Sequence, residues 1–204
     1  FTQKVIPMLP EIISNNLCSL RPNEDRYCLV CKTNISKEGD PQEVEFFEAI
    51  INSKARLTYE KVADQMKTKN FSEPYTQSLK NLVEIYKILK KAKKTRGALE
   101  LDIPFYVPQF NGKRIEKFIN TSRNEAHLLI EECMLLANIC AAKILLKAKI
   151  SSLYRIHPKP DPIKIKNLEG FVRSRRINVN LDISGKVEEL SSLVDMTKDR
   201  KDKE

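Results

Sequence analysis

Apolar and polar residues change their spacing several times along the chain, and each change marks an element. After a leading loop with a short helix, set off by Pro7 and Pro10 and ended by Asn15-Asn16, residues 26–35 alternate as a strand does. Lys37-Glu38-Gly39-Asp40 is a turn signal, and residues 44–50 supply a second strand, giving a hairpin. Thr58 then predicts the cap of a short helix over 59–67. A longer helix is predicted over 74–95, with Leu79, Leu82, Val83, Tyr86 and Leu89 on its inner side and Gly97 as its stop. Short strands are predicted near 99–101, 104–110 and 113–119, the last two joined by Asn111-Gly112.

The stretch over about 122–148 predicts a helix of a different kind. Ala126, Ile130, Cys133, Ala137 and Ile144 fall on one side of it, and Leu128, Leu135, Ile139 and Leu146 on nearly the opposite one. A helix apolar on most of its circumference belongs in the middle of a domain. Pro158, Pro160 and Pro162 interrupt the chain, a helix follows over 162–175, and from residue 178 the pattern weakens into a charged end. The fold class is therefore α+β, with residues 1–177 as one domain and 178–204 as a weakly structured tail.

Composition narrows the function classes. The net charge of +9 favours polyanionic partners, nucleic acid above all, because each cation laid on a phosphate releases a counterion. Residues 80–96 hold seven basic residues against Glu84 alone, and Lys80, Lys87, Lys91 and Lys94 share one helical stripe. That stripe is either a solvated face or a phosphate-tracking surface. No apolar run reaches the roughly 18 residues of a membrane span. Five cysteines in no regular framework fit a reducing, cytoplasmic setting, and Cys28-Leu29-Val30-Cys31 lies in a strand, where residues three apart face opposite ways. Gly-rich phosphate loops, G-x-S-x-G and H-E-x-x-H are absent, and no carboxylate spacing resembles a two-metal site.

One polar feature crosses the apolar helix. Asn124, His127, Glu131 and Asn138 fall within about 60° of arc. They could brace two layers of the fold through hydrogen bonds or line a ligand channel, and a carboxylate there needs a partner in either case.

Several blocks in order resemble the catalytic domain of the ribonuclease II/R (RNB) family, with the ribonuclease R branch the nearer. They are Val5-Ile6-Pro7-Met8-Leu9-Pro10-Glu11, Ser14-Asn15-Asn16-Leu17-Cys18-Ser19-Leu20, Ser53-Lys54-Ala55-Arg56-Leu57-Thr58-Tyr59, Arg96-Gly97-Ala98-Leu99-Glu100-Leu101, Ile130-Glu131-Glu132-Cys133-Met134-Leu135-Leu136-Ala137-Asn138 and Leu153-Tyr154-Arg155-Ile156-His157. The resemblance covers about residues 3–175. It implies a partial RNB domain of a processive 3′→5′ exoribonuclease that threads single-stranded RNA and releases nucleoside 5′-monophosphates with Mg²⁺.

By the same resemblance, Tyr59 and Glu131 match residues that contact ribose 2′-hydroxyls. Leu101 stands where many members carry a base-stacking Phe, and Thr2 replaces a usual Pro. Arg123, Asn124 and His127 lie in a motif of family type, and Asn138 ends another. The family's metal-binding aspartates would precede Pro7, and its catalytic Arg segment would follow Glu204. The expectation is thus an internal piece with no catalytic or metal residue of its own and no activity alone. The alternative is a non-catalytic RNA-binding piece, or one that assembles with complementary fragments of the same enzyme.

Overall fold

The computed structural model describes residues 5–71, 73–99, 105–156, 158–179, 181, 186–197 and 200. The chain divides into two compact units, residues 1–89 with 104–150, and residues 90–103 with 151–204.

The first unit opens with a π-helical turn, Ile13–Leu17, which contains Asn15 and Asn16 rather than ending at them. Arg26 ties that turn to the next element by donating to the carbonyls of Asn16 (3.3 Å) and Ser19 (3.1 Å). Strands β1 (Asp25–Ile35) and β2 (Pro41–Asn52) then pair as the expected antiparallel hairpin, from Asp25 opposite Asn52 to Ile35 opposite Pro41. The alternation is visible along β1: Cys28 and Val30 turn inward, while Tyr27 and Leu29 are exposed. Helix α1 (Tyr59–Thr68) begins where Thr58 predicts, the Thr58 hydroxyl oxygen accepting the Lys61 N–H at 3.3 Å. Helix α2 (Thr76–Thr95) buries Leu79, Tyr86 and Leu89, three of the five positions expected to face inward, and half-buries Leu82 and Val83. Lys80, Lys87, Lys91 and Lys94 are all exposed on it.

Strands β3 (Phe105–Asn111) and β4 (Arg114–Thr121) form a second hairpin. Asn111 pairs with Arg114, so the two loop residues are Gly112 and Lys113 rather than Asn111 and Gly112. Gly112 has φ +60°, the left-handed value that the first loop position of a tight hairpin turn requires. The strand expected near 99–101 falls largely outside the described residues.

Helix α3 (Glu125–Lys147) packs against α1 and β2. Ala126, Leu129, Glu132 and Cys140 are buried along it, Cys140 at 0% exposure. The expected all-round burial is met on that side only, because Ile130, Met134, Leu135, Ile139 and Leu146 are exposed.

The second unit is built on helices α4 (Pro162–Ser174) and α5 (Val187–Thr197). Asp161 caps α4, its carboxylate accepting the Ile163 N–H at 2.8 Å, with Pro162 in the first turn. Ile165 and Val172 of α4 close a core with Ile177, Leu181 and Leu193, flanked by Leu168, Val179 and Leu190. Residues 187–197 are therefore helical and buried in part, where a weakly structured tail was expected. The few apolar side chains of α5 find cover that its own sequence does not reveal. In the same unit α2 ends as anticipated at Gly97: the N–H groups of Gly97 and Ala98 donate to the carbonyls of Lys94 and Lys93 (3.1 and 3.3 Å), a Schellman closure with Gly97 at φ +69°.

Candidate nucleic-acid interface

Three of the four polar residues expected to line the long helix gather around its first two turns. Asn124 is the N-cap of α3, with extended backbone (φ −96°, ψ 172°), so the helix begins at Glu125 rather than near 122 and Asn124 stands just outside it. The Asn124 side-chain oxygen accepts the N–H groups of Ala126 and His127, each at 3.1 Å. His127 Nδ1 in turn lies 3.3 Å from the Asn124 backbone nitrogen and 2.7 Å from the Asn124 side-chain oxygen, closing a capping box.

Helix α1 brings Tyr59 to the same turn. Its ring stacks on the His127 ring, with centroids 3.9 Å apart and planes inclined by 17°. Tyr59 stays 43% exposed. One turn further along α3, Glu131 Oε2 accepts from Arg123 Nη1 at 2.8 Å. The two side chains are 30% and 46% exposed, so solvent screening leaves the pair worth less than about 1 kcal/mol. Its effect is directional: it fixes a carboxylate on the face that carries His127. Asn138, two turns beyond, is exposed. Leu101 lies outside the described residues.

Two neighbours of this cluster were not legible in the sequence. The Tyr86 hydroxyl donates to Glu125 Oε2 at 2.6 Å and so fastens α2 to the opening turn of α3. The carboxylate that the fold buries is Glu132, at 4% exposure, whereas Glu131 is only half-buried. Burial first, and then the nearby Glu132 charge, push the Cys133 thiol above its ordinary pKa of 9.0. On β1 the Cys31 thiol is raised as well, by burial and then by the neighbouring Cys140.

A stacked aromatic pair beside a tethered carboxylate suits a sugar–base unit, with hydrogen-bond acceptors at one edge and an apolar ring at the other. The RNB domain model matches residues 1–204. The chain belongs to the RNB family. Among relatives of this RNB chain, ribonuclease R of Escherichia coli is 40% identical over 214 residues, covering 100% of this chain and 26% of that protein. The apo form of Mycoplasma genitalium RNase R superposes with a TM-score of 0.90 at 28% identity, covering 98% of this chain and 32% of that one. The same enzyme in complex with ribose methylated single-stranded RNA matches with the same TM-score. The RNB chain thus spans between a quarter and a third of the length of these relatives.

Among the described residues, no three His, Cys, Asp or Glu side chains come together to hold an ion.

Proposed function

We propose that this chain is the RNA-gripping part of a 3′→5′ exoribonuclease of the ribonuclease R kind, acting on single-stranded RNA in the cytoplasm. The observation that carries the proposal is the Tyr59–His127 stack lying one helical turn from the Arg123–Glu131 pair. Tyr59 and Glu131 meet the ribose 2′-hydroxyl, Arg123 orients Glu131, and Asn138 extends the RNA contact along the same helix. Buried or tethered groups that hydrogen-bond a hydroxyl leave their partners unsatisfied when DNA binds instead, which is the physical root of selectivity for RNA. On this reading metal-assisted cleavage would belong to other parts of such an enzyme, and the 204-residue chain alone releases no nucleotide.

The test compares binding of an oligouridine and an oligodeoxyuridine of equal length. The wild-type chain should prefer RNA, and Glu131→Ala should reduce that preference by about tenfold or more while leaving DNA binding unchanged. Equal affinity of the wild type for the two strands would refute the ribose reading. Processive, Mg²⁺-dependent decay of RNA by the pure chain would refute the assignment of cleavage to other parts.

A second reading has an observation of its own. Phe105, Val107 and Ile119 on one face of the β3–β4 hairpin, and Tyr106 and Phe118 on the other, are all exposed, as are Tyr27 and Leu29 of β1. Two-sided apolar ribbons are marginal alone, so the chain would assemble with complementary pieces of the same enzyme. Recovery of nuclease activity on mixing with a polypeptide that carries the remaining RNB sequence supports this, and continued inactivity of a co-purified complex counts against it.

A further inference from the structure

We propose that His127 is a positioning residue: its ring, locked by the cap of α3, is the shelf that holds the Tyr59 ring in the orientation that reads the ribose. The inference rests on the ribose reading above and adds the part that makes it work.

Tyr59 needs such a shelf. It is the first residue of α1, and its side chain is well exposed. An aromatic side chain at an open helix start samples several rotamers, and a contact that must be ordered on binding is weaker for it. The 3.9 Å, 17° stack on His127 removes that freedom before any ligand arrives.

His127 can act as a shelf because its own ring cannot swing. Nδ1 faces both the backbone nitrogen and the side-chain oxygen of Asn124. The Asn124 N–H donates to an unprotonated Nδ1, and the Asn124 oxygen accepts from a protonated one. Either arrangement pins the same edge of the imidazole, so the shelf exists in both tautomers. Asn124 is itself held by the amide protons of Ala126 and His127.

The shelf also sets distance along the helix. His127 and Glu131 are four residues apart on α3 and therefore lie one above the other on the same face. A ring fixed on His127 is thus fixed relative to the Glu131 carboxylate, which Arg123 holds from the other side. Two groups that must meet one sugar are registered through one imidazole that need not touch RNA.

His127 has two separable jobs, capping and stacking, and two variants divide them. His127→Gln keeps a side chain that closes a capping box at this helix position but has no ring. His127→Phe keeps a ring but has no nitrogen for the cap. Affinities for the matched oligouridine and oligodeoxyuridine, together with the thermal unfolding midpoint, are measured on the full chain. His127→Gln should keep the midpoint and lower the RNA-over-DNA ratio by about five- to tenfold through RNA affinity alone. His127→Phe should lower the midpoint and lose only part of the ratio, because its ring still stacks but is no longer pinned.

An unchanged ratio in His127→Gln overturns the inference and leaves the ribose reading standing. An equal loss in both variants also overturns it, because the imidazole nitrogen and not the ring would then matter. A wild type without preference for RNA removes the ribose reading and this inference with it. The stack itself is checked without RNA. The chain has only two histidines, His127 and His157, so proton NMR resolves their ring signals. Tyr59→Leu should shift one of them strongly through loss of the ring current, and no shift overturns the shelf.

Discussion

The α4–α5 unit and the β3–β4 hairpin bury their apolar side chains to very different degrees. In the former, Ile165, Val172, Ile177, Leu181 and Leu193 close on one another and exclude water. In the latter, aromatic and branched residues occupy both faces of a two-stranded ribbon and remain exposed. Sides of one ribbon point opposite ways, so a single neighbour can cover only one of them, whereas helices crossing at an angle can enclose a few side chains among themselves. Apolar content alone therefore does not decide which part of this chain is self-sufficient.

Leu193→Ala breaks the enclosed side of the comparison most severely. It should cost about 2–5 kcal/mol and expose residues 187–197 to protease, read by thermal unfolding and limited proteolysis. Gly97→Ala should cost about 1–2 kcal/mol, since Gly97 sits at φ +69° and a Cβ there would meet Glu188 Cγ at 3.4 Å. Removing the α4 cap with Asp161→Ala should cost about 1 kcal/mol in the same assay.

A smaller effect comes from the thiols of the unit that carries the ribbon. Cys31 and Cys133 have folded-state pKa values raised above 9.0, so their contribution to stability is full below about pH 9 and lost as pH climbs through the raised values. Alkylation should accordingly reach exposed Cys18 first, reach Cys31 and Cys133 only as the solution becomes strongly alkaline, and spare Cys140 until unfolding. Mass spectrometry of labelled peptides gives the order. Least of all, Phe118→Ser should change stability by no more than about 0.5 kcal/mol while reducing aggregation. A large loss of stability there would mean that the ribbon is covered after all.

These contrasts also explain what could be read from the sequence. The β1–β2 hairpin, α1 with its Thr58 cap, and α2 with its Gly97 stop follow from signals within a few residues of each element. α5 was missed because Val187, Leu190, Leu193 and Val194 keep helical spacing for only three turns beside a charged end, and what holds Leu190 and Leu193 is brought in from α4. The first turns of α3 were read as a polar stripe, yet the periodicity could not show that Asn124 caps the helix instead of lining it. Nor could it tell Glu131 from Glu132. Neighbouring residues differ by 100° of arc, and only the packing of α1 and β2 decides which of the two is buried. The resemblance singled out Tyr59 and Glu131 by position, but the ring contact joining residues 59 and 127 is a property of the folded chain.

Tyr59 and His127 both occupy opening turns, the places where helices fray. Each helix start thus steadies the other across the ring contact, and a nucleotide clasped there would quieten both at once. Hydrogen–deuterium exchange would register that as slower solvent exchange at the amides of Lys61, Ala126 and His127, the three protons the two caps hold.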